Sequence, residues 1–209
     1  MTTPVAGLQV AERTGRSVEV TRRTKETSVS VRLDLDGEGR ADVTTGVGFY
    51  DHLLASFALH GLFDLEVRAT GDLQVDEHHT VEDVALVVGA AFATALGDRS
   101  GIVRFGEASI PMDESLATAI VDIGGRPYAV VDLPFRGERA GGLSLQLVEH
   151  ALEAFARTAG ATLHIRGAGR NDHHLAEAAF KSLGRALRAA CAADPRRAGS
   201  VPSTKGVLG

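Results

Sequence analysis

The chain has 209 residues, 44% hydrophobic and 23% charged, the ordinary balance of a globular protein with a sizeable core. A formal net charge of -5 argues against a nucleic-acid binder built on clustered Lys and Arg, and the single cysteine, Cys191, excludes an intrachain disulfide framework and fits a reducing compartment. The first ten residues lack the pattern of a secretory leader and no run of about 18 uninterrupted apolar residues follows, so a cytoplasmic protein without membrane partners is expected.

Residues 1–15 carry no sustained period and read as a flexible N-terminus. From Ser17 to Asp36, Val18, Val20, Val29, Val31, Leu33 and Leu35 alternate with polar residues, the pattern of half-buried antiparallel strands. Asp36-Gly37-Glu38-Gly39 makes a turn and residues 40–45 a third strand. A helix is expected over 49–60, with Leu53, Leu54, Phe57 and Ala58 on one face and Gly61 as its stop. A strand over 64–70 and an Ala/Val-rich helix over 78–96, closed by Gly97, complete the first half.

The second half repeats that order, with strands over 104–110, 116–123 and 128–133, a helix over 143–159, a strand over 161–166 and a helix over 172–192. The motifs repeat as well. Asp76-Glu77-His78-His79-Thr80-Val81-Glu82-Asp83 returns as Asn171-Asp172-His173-His174-Leu175-Ala176-Glu177, and Asp51-His52 returns as Glu149-His150, at offsets of 95 and 98 residues. Order, motif and offset together indicate an internal duplication. The fold class is therefore α+β, two similar halves each a four-stranded mixed sheet with two helices on one face, the helix layers packed together. The division is residues 1–15, a first repeat over 16–100, a second over 101–193 and a C-terminal segment over 194–209.

Six of the eight histidines lie in the paired motifs: His52, His78, His79, His150, His173 and His174. With Glu82 and Glu177 they form a metal-ligand pattern, because imidazole nitrogens and carboxylate oxygens can share an octahedral shell with positions left open. On a helix His79 and Glu82 stand at i and i+3 and share a face, as do His174 and Glu177, while His78 is expected to point aside. Each motif can then serve two ions. His60, at a helix end, and His164, on a strand, read as structural residues. Asp76, Glu77 and Asp172 either orient imidazoles or cap helices, and Glu77 and Asp172 stay outside the ligand set.

Gly46-Val47-Gly48-Phe49-Tyr50-Asp51-His52, the two histidine motifs with Lys181, and Pro202-Ser203-Thr204-Lys205-Gly206 together resemble imidazoleglycerol-phosphate dehydratase, over the chain from Arg22 onward. The resemblance implies removal of water from D-erythro-imidazoleglycerol phosphate to give imidazoleacetol phosphate in histidine biosynthesis. It further implies two manganese ions per active site, a homo-oligomer of 24 subunits with sites shared between chains, and a monofunctional enzyme, since 209 residues leave no room for the fused phosphatase domain that some relatives carry. Glu26, in Lys25-Glu26-Thr27, takes the position of the acid/base; Arg104, Arg126, Lys181, Ser203 and Lys205 take those of the phosphate contacts. Pseudo-symmetry then suggests that one ion takes His52, His79, Glu82 and His173 and the other His150, His174, Glu177 and His78.

The implied chemistry needs metal. The departing proton sits on a carbon without a neighbouring carbonyl, so two cations on the ring nitrogens would favour an imidazolate able to expel the hydroxyl through a diazafulvene-like intermediate. Two other readings use the same residues. A di-metal hydrolase would bring more bridging aspartates than this histidine-heavy set, and a noncatalytic metal-binding assembly would need neither Glu26 nor the Arg/Lys group.

Overall fold

Alternation places the strands where the sequence does. In the computed structural model, which describes residues 5–206 and 208, Val18 and Val20 of β2 (Ser17–Arg23) and Val29, Val31 and Leu33 of β3 (Thr27–Asp34) are buried. β3 pairs antiparallel with β5 (Asp64–Gly71), Val31 facing Val67 and Leu33 facing Leu65, and β5 pairs parallel with β4 (Ala41–Thr44). The second sheet repeats this design. Its order is β6 (Phe105–Met112), β7 (Ser115–Asp122), β11 (Thr162–Ala168), β8 (Tyr128–Asp132), with β7 antiparallel and β8 parallel to β11. The order β2-β3-β5-β4 in the first sheet matches it strand for strand.

Two features depart from the expected four strands per half. A further strand, β1 (Leu8–Thr14), pairs with β2 inside the segment read as an N-terminal lead-in and makes the first sheet five-stranded. Six of its seven residues are exposed, Val10 among them, and its register shifts between Val10 and Glu12, so it has no buried face to leave a period in the sequence. In the second half, Arg139–Ala140 (β9) and Leu143–Ser144 (β10) form a small hairpin around Gly141 and Gly142, both at positive φ. The helix expected from Leu143 therefore starts at Gln146.

Four helices fill the space between the sheets: α1 (Gly48–Gly61), α2 (His78–Leu96), α3 (Gln146–Ala159) and α4 (Asp172–Cys191). α1 ends in left-handed Leu62, one residue beyond Gly61. The main helix contacts run across the duplication, α1 with α4 and α2 with α3. By length and composition α2 could cross a bilayer, but 72% of its apolar window is buried within the protein, as a core helix requires. Phe57, Phe63, Phe92 and Phe155 meet edge-on or tilted between the helices, with centroids 5.0 to 6.3 Å apart.

Glycines set how closely the helices approach. A Cβ on Gly184 of α4 would stand 2.4 Å from Phe57 O, and one on Gly89, its counterpart in α2, 2.5 Å from Phe155 O. Gly184→Ala should force α1 and α4 apart and destabilise the protein by about 1–3 kcal/mol. Thermal unfolding checks this; an unchanged midpoint would show that the helices can yield there.

Candidate active site

Helix pairing across the halves decides which histidines meet. Where α1 lies against α4, His52 Nε2 and His173 Nε2 converge on Glu177 Oε2 at 3.1 and 3.3 Å. Phe49 packs against the His173 ring at 4.6 Å between centroids. Glu177 is 6% exposed. Burial alone would raise its pKa, but hydrogen bonds from Lys181 and His52 outweigh that and hold it below the ordinary carboxylate value. Lys181 Nζ takes Glu177 Oε1 at 2.7 Å, leaving Oε2 to the imidazoles.

Where α2 lies against α3, His78, Glu82 and His150 form the counterpart, with the His78 and His150 rings 4.8 Å apart. In both groups the three ligand atoms lie within 4.8 Å of one another. Both fit a cation: the donors are imidazole and carboxylate, and His150 Nε2 is buried without a hydrogen bond, Glu82 Oε1 standing 3.5 Å away. Arg157 Nη2 holds that same oxygen at 2.9 Å.

Within one chain the side chains group differently from the expected division of ligands. The histidine that joins each glutamate is the first of the pair, four residues before it, not the second, three before it. At 3.6 residues per turn the i, i+4 pair is offset by about 40° and the i, i+3 pair by about 60°. Glu177 belongs with His52 and His173, and Glu82 with His78 and His150, because α1 meets α4 and α2 meets α3.

His79 and His174 join neither cluster; each is held by a carboxylate that the sequence reading missed. His79 Nδ1 lies 3.0 Å from Asp72 Oδ2, and His174 Nδ1 3.0 Å from Glu114 Oε2. In the tautomer whose Nδ1–H donates to the carboxylate, Nε2 keeps its lone pair and is left able to bind a metal. The Asp72 hydrogen bond raises the His79 pKa, with Glu26 adding to it. The hydrogen bond from His174 and backbone N–H groups of Arg170 and Asn171 hold Glu114 far below the usual carboxylate range. Glu114 sits in the β6–β7 turn, sixty residues from His174 in sequence, so no spacing rule could announce it.

Asp76, Glu77 and Asp172 orient no imidazole. Asp76 accepts from His78 N, Glu77 from Ser144 N and Arg139, and Asp172 from Gly137 N, so all three fix the entries to α2 and α4. Asn171 caps α4 by accepting from His173 N at 3.0 Å. His164 is exposed on β11, and the half-buried His60 at the end of α1 has its pKa lowered by burial and by Lys181 and Arg185.

Arg104, Arg126, Ser203 and Lys205 line one cleft of about 520 Å³ with Arg197 and Thr204. Arg104, at φ 80°, is held rigidly: Asp122 takes its Nε at 2.7 Å and Nη2 at 2.9 Å, and Pro202 O takes Nη1 at 2.7 Å. Three arginines and a lysine line the cleft and, among the described residues, no carboxylate does, a composition suited to an anion, while Asp122 pairs with Arg104 and Arg126 and Asp194 with Arg197 from behind the lining. Lys181 does not line it and serves Glu177 instead. Glu26 is exposed on the turn between β2 and β3, beside a second cleft that also contains Asp72.

A family model described as imidazoleglycerol-phosphate dehydratase matches residues 45–187, a span holding both clusters. The chain belongs to the imidazoleglycerol-phosphate dehydratase family. It is 50% identical over 196 residues to the imidazoleglycerol-phosphate dehydratase of Gluconacetobacter diazotrophicus, covering 93% of this chain and 99% of that one. The chloroplastic enzyme of Pisum sativum is 56% identical over 91% of this chain and 68% of its own. Among solved structures, that from Pyrococcus furiosus, in complex with (S)-C348, superposes with a TM-score of 0.78 at 38% identity, covering 90% of this chain and 99% of that one. That from Staphylococcus aureus gives 0.74 at 35% identity over 83% and 98%. The protein is thus an enzyme of a hydro-lyase family, with the duplicated α+β fold of its relatives.

Proposed function

We propose that the enzyme removes water from D-erythro-imidazoleglycerol phosphate to give imidazoleacetol phosphate, a step of histidine biosynthesis, in the cytoplasm and with two manganese ions per active site. The observation that carries this reading is the pair of His-His-Glu clusters in a chain of this family. His52, His173 and Glu177 would hold one ion and His78, Glu82 and His150 the other. When bound, the two cations would stabilise the anionic form of the substrate's imidazole ring and so ease loss of the neighbouring hydroxyl. Glu26 takes the proton from the adjacent carbon. Arg104, Arg126, Ser203 and Lys205 hold the phosphate in their cleft and so fix the reacting carbon relative to that base. The assay is direct: imidazoleglycerol phosphate should be consumed and simple phosphoesters left untouched, and the reverse preference would point to a hydrolase.

Three protein donors leave each ion open positions, and His79 and His174, with Nε2 lone pairs, belong to neither cluster. This supports active sites shared between copies of the chain in a homo-oligomer, with 24 subunits as the family resemblance suggests. Ligands from separate chains cannot be satisfied in a monomer, so metal should drive association. Sedimentation should show the particle shrinking on chelation and regrowing with manganese; constant mass with the metal demonstrably gone would defeat the shared-site reading.

A further inference from the structure

We infer that Thr27 and Asp83 are positioning residues that fix the Glu26 turn to the helix carrying the first histidine motif. The inference rests on the assignment of Glu26 as the acid/base. Glu26 itself is exposed, so the backbone of its turn determines where the carboxylate stands. That turn is closed on one hydroxyl: Thr24 Oγ1 accepts from Glu26 N at 3.1 Å and from Thr27 N at 3.0 Å. Thr27 Oγ1 then donates to Asp83 Oδ2 on α2, and Arg22 Nη1, from the strand that leads into the turn, ion-pairs with the same oxygen.

Thr27 is 4% and Asp83 6% exposed. A buried carboxylate is costly unless charge-paired and hydrogen-bonded, and an apolar residue would serve packing alone at least as well. What the polar trio adds is direction. Asp83 directly follows Glu82 and lies four residues after His79 on α2, so the hydroxyl–carboxylate contact ties the placement of Glu26 to the turns of helix that present His78, His79 and Glu82. The hydrogen bond from Thr27 fixes direction in a way that an apolar contact does not.

The test is a double-mutant cycle on the metal-loaded enzyme. Thr27→Val removes the hydroxyl and keeps the shape; it should lower kcat about thirtyfold with KM within about twofold and metal content unchanged. Thr27→Ser should restore most of the loss. In a Glu26→Gln background, Thr27→Val should change the residual rate by less than about twofold, because misplacing a base that is already absent costs nothing. Amide exchange at Glu26 and Thr27 should also quicken about tenfold or more in Thr27→Val. Thr24→Ala, in the same turn but outside the core, carries the same cycle with a smaller effect if Thr27→Val fails to fold. Wild-type turnover in Thr27→Val, unchanged exchange, or an equal loss in both backgrounds would overturn the positioning role while leaving Glu26 as the base. Wild-type turnover in Glu26→Gln would overturn both.

Discussion

Glu177→Gln should bind manganese on the order of a hundredfold more weakly than the parent protein and regain part of its turnover when the metal is supplied in excess. The substitution keeps the size of the side chain but removes the negative charge at the point where His52 and His173 converge within 3.3 Å of Oε2. It also strips Lys181 of its anionic partner, leaving a half-buried ammonium beside the site to repel an incoming cation. Glu82→Gln should behave alike in direction, since Glu82 holds the matching place with His78 and His150. Metal titration of each variant decides, and parental affinity in either would remove that glutamate from the ligands.

Glu26→Gln should lower the single-turnover rate by on the order of a hundredfold or more, because the amide keeps the shape but cannot take a proton. Metal stoichiometry should stay normal, since Glu26 belongs to neither cluster. Substrate affinity, which the proposed function assigns to the clusters and the Arg104 cleft, should change little, as should the assembled mass. Calorimetric binding and turnover on one preparation separate the outcomes. Near-parental turnover would assign the base to another group; loss of metal or assembly would make Glu26 structural.

Periodic features were legible in the sequence and relational ones were not. The alternating valines of β2 and β3 and the recurrence of the histidine motifs repeat along the chain, so the strands, the helices and the duplication could be read from one dimension. β1 could not, because an exposed edge strand buries nothing that would enforce alternation. Six of the eight candidate ligands that the motifs single out meet in clusters, but their division into two groups was not legible. Grouping depends on α1 meeting α4 and α2 meeting α3, a choice of partner that the amphipathicity of a single helix does not encode. Asp72, Glu114 and the attachment of Lys181 to Glu177 were hidden for a related reason. Asp72 and Glu114 come from turns whose place beside a helix is set by the sheets, and Lys181 sits at a spacing that suits its own helix face as well as a distant phosphate.

The crossed pairing of helices has a consequence for the order in which the protein is made. His52, His78 and Glu82 leave the ribosome with the first repeat, but His150 arrives only with α3, and His173 and Glu177 only with α4, the last long helix of the chain. A nascent first half therefore owns one of the three residues of one cluster, two of the three of the other, and the whole of neither. If the clusters hold metal as proposed, tight capture would wait until the second half has docked across the duplication. Loading would then mark the completion of folding in this chain and not nucleate it.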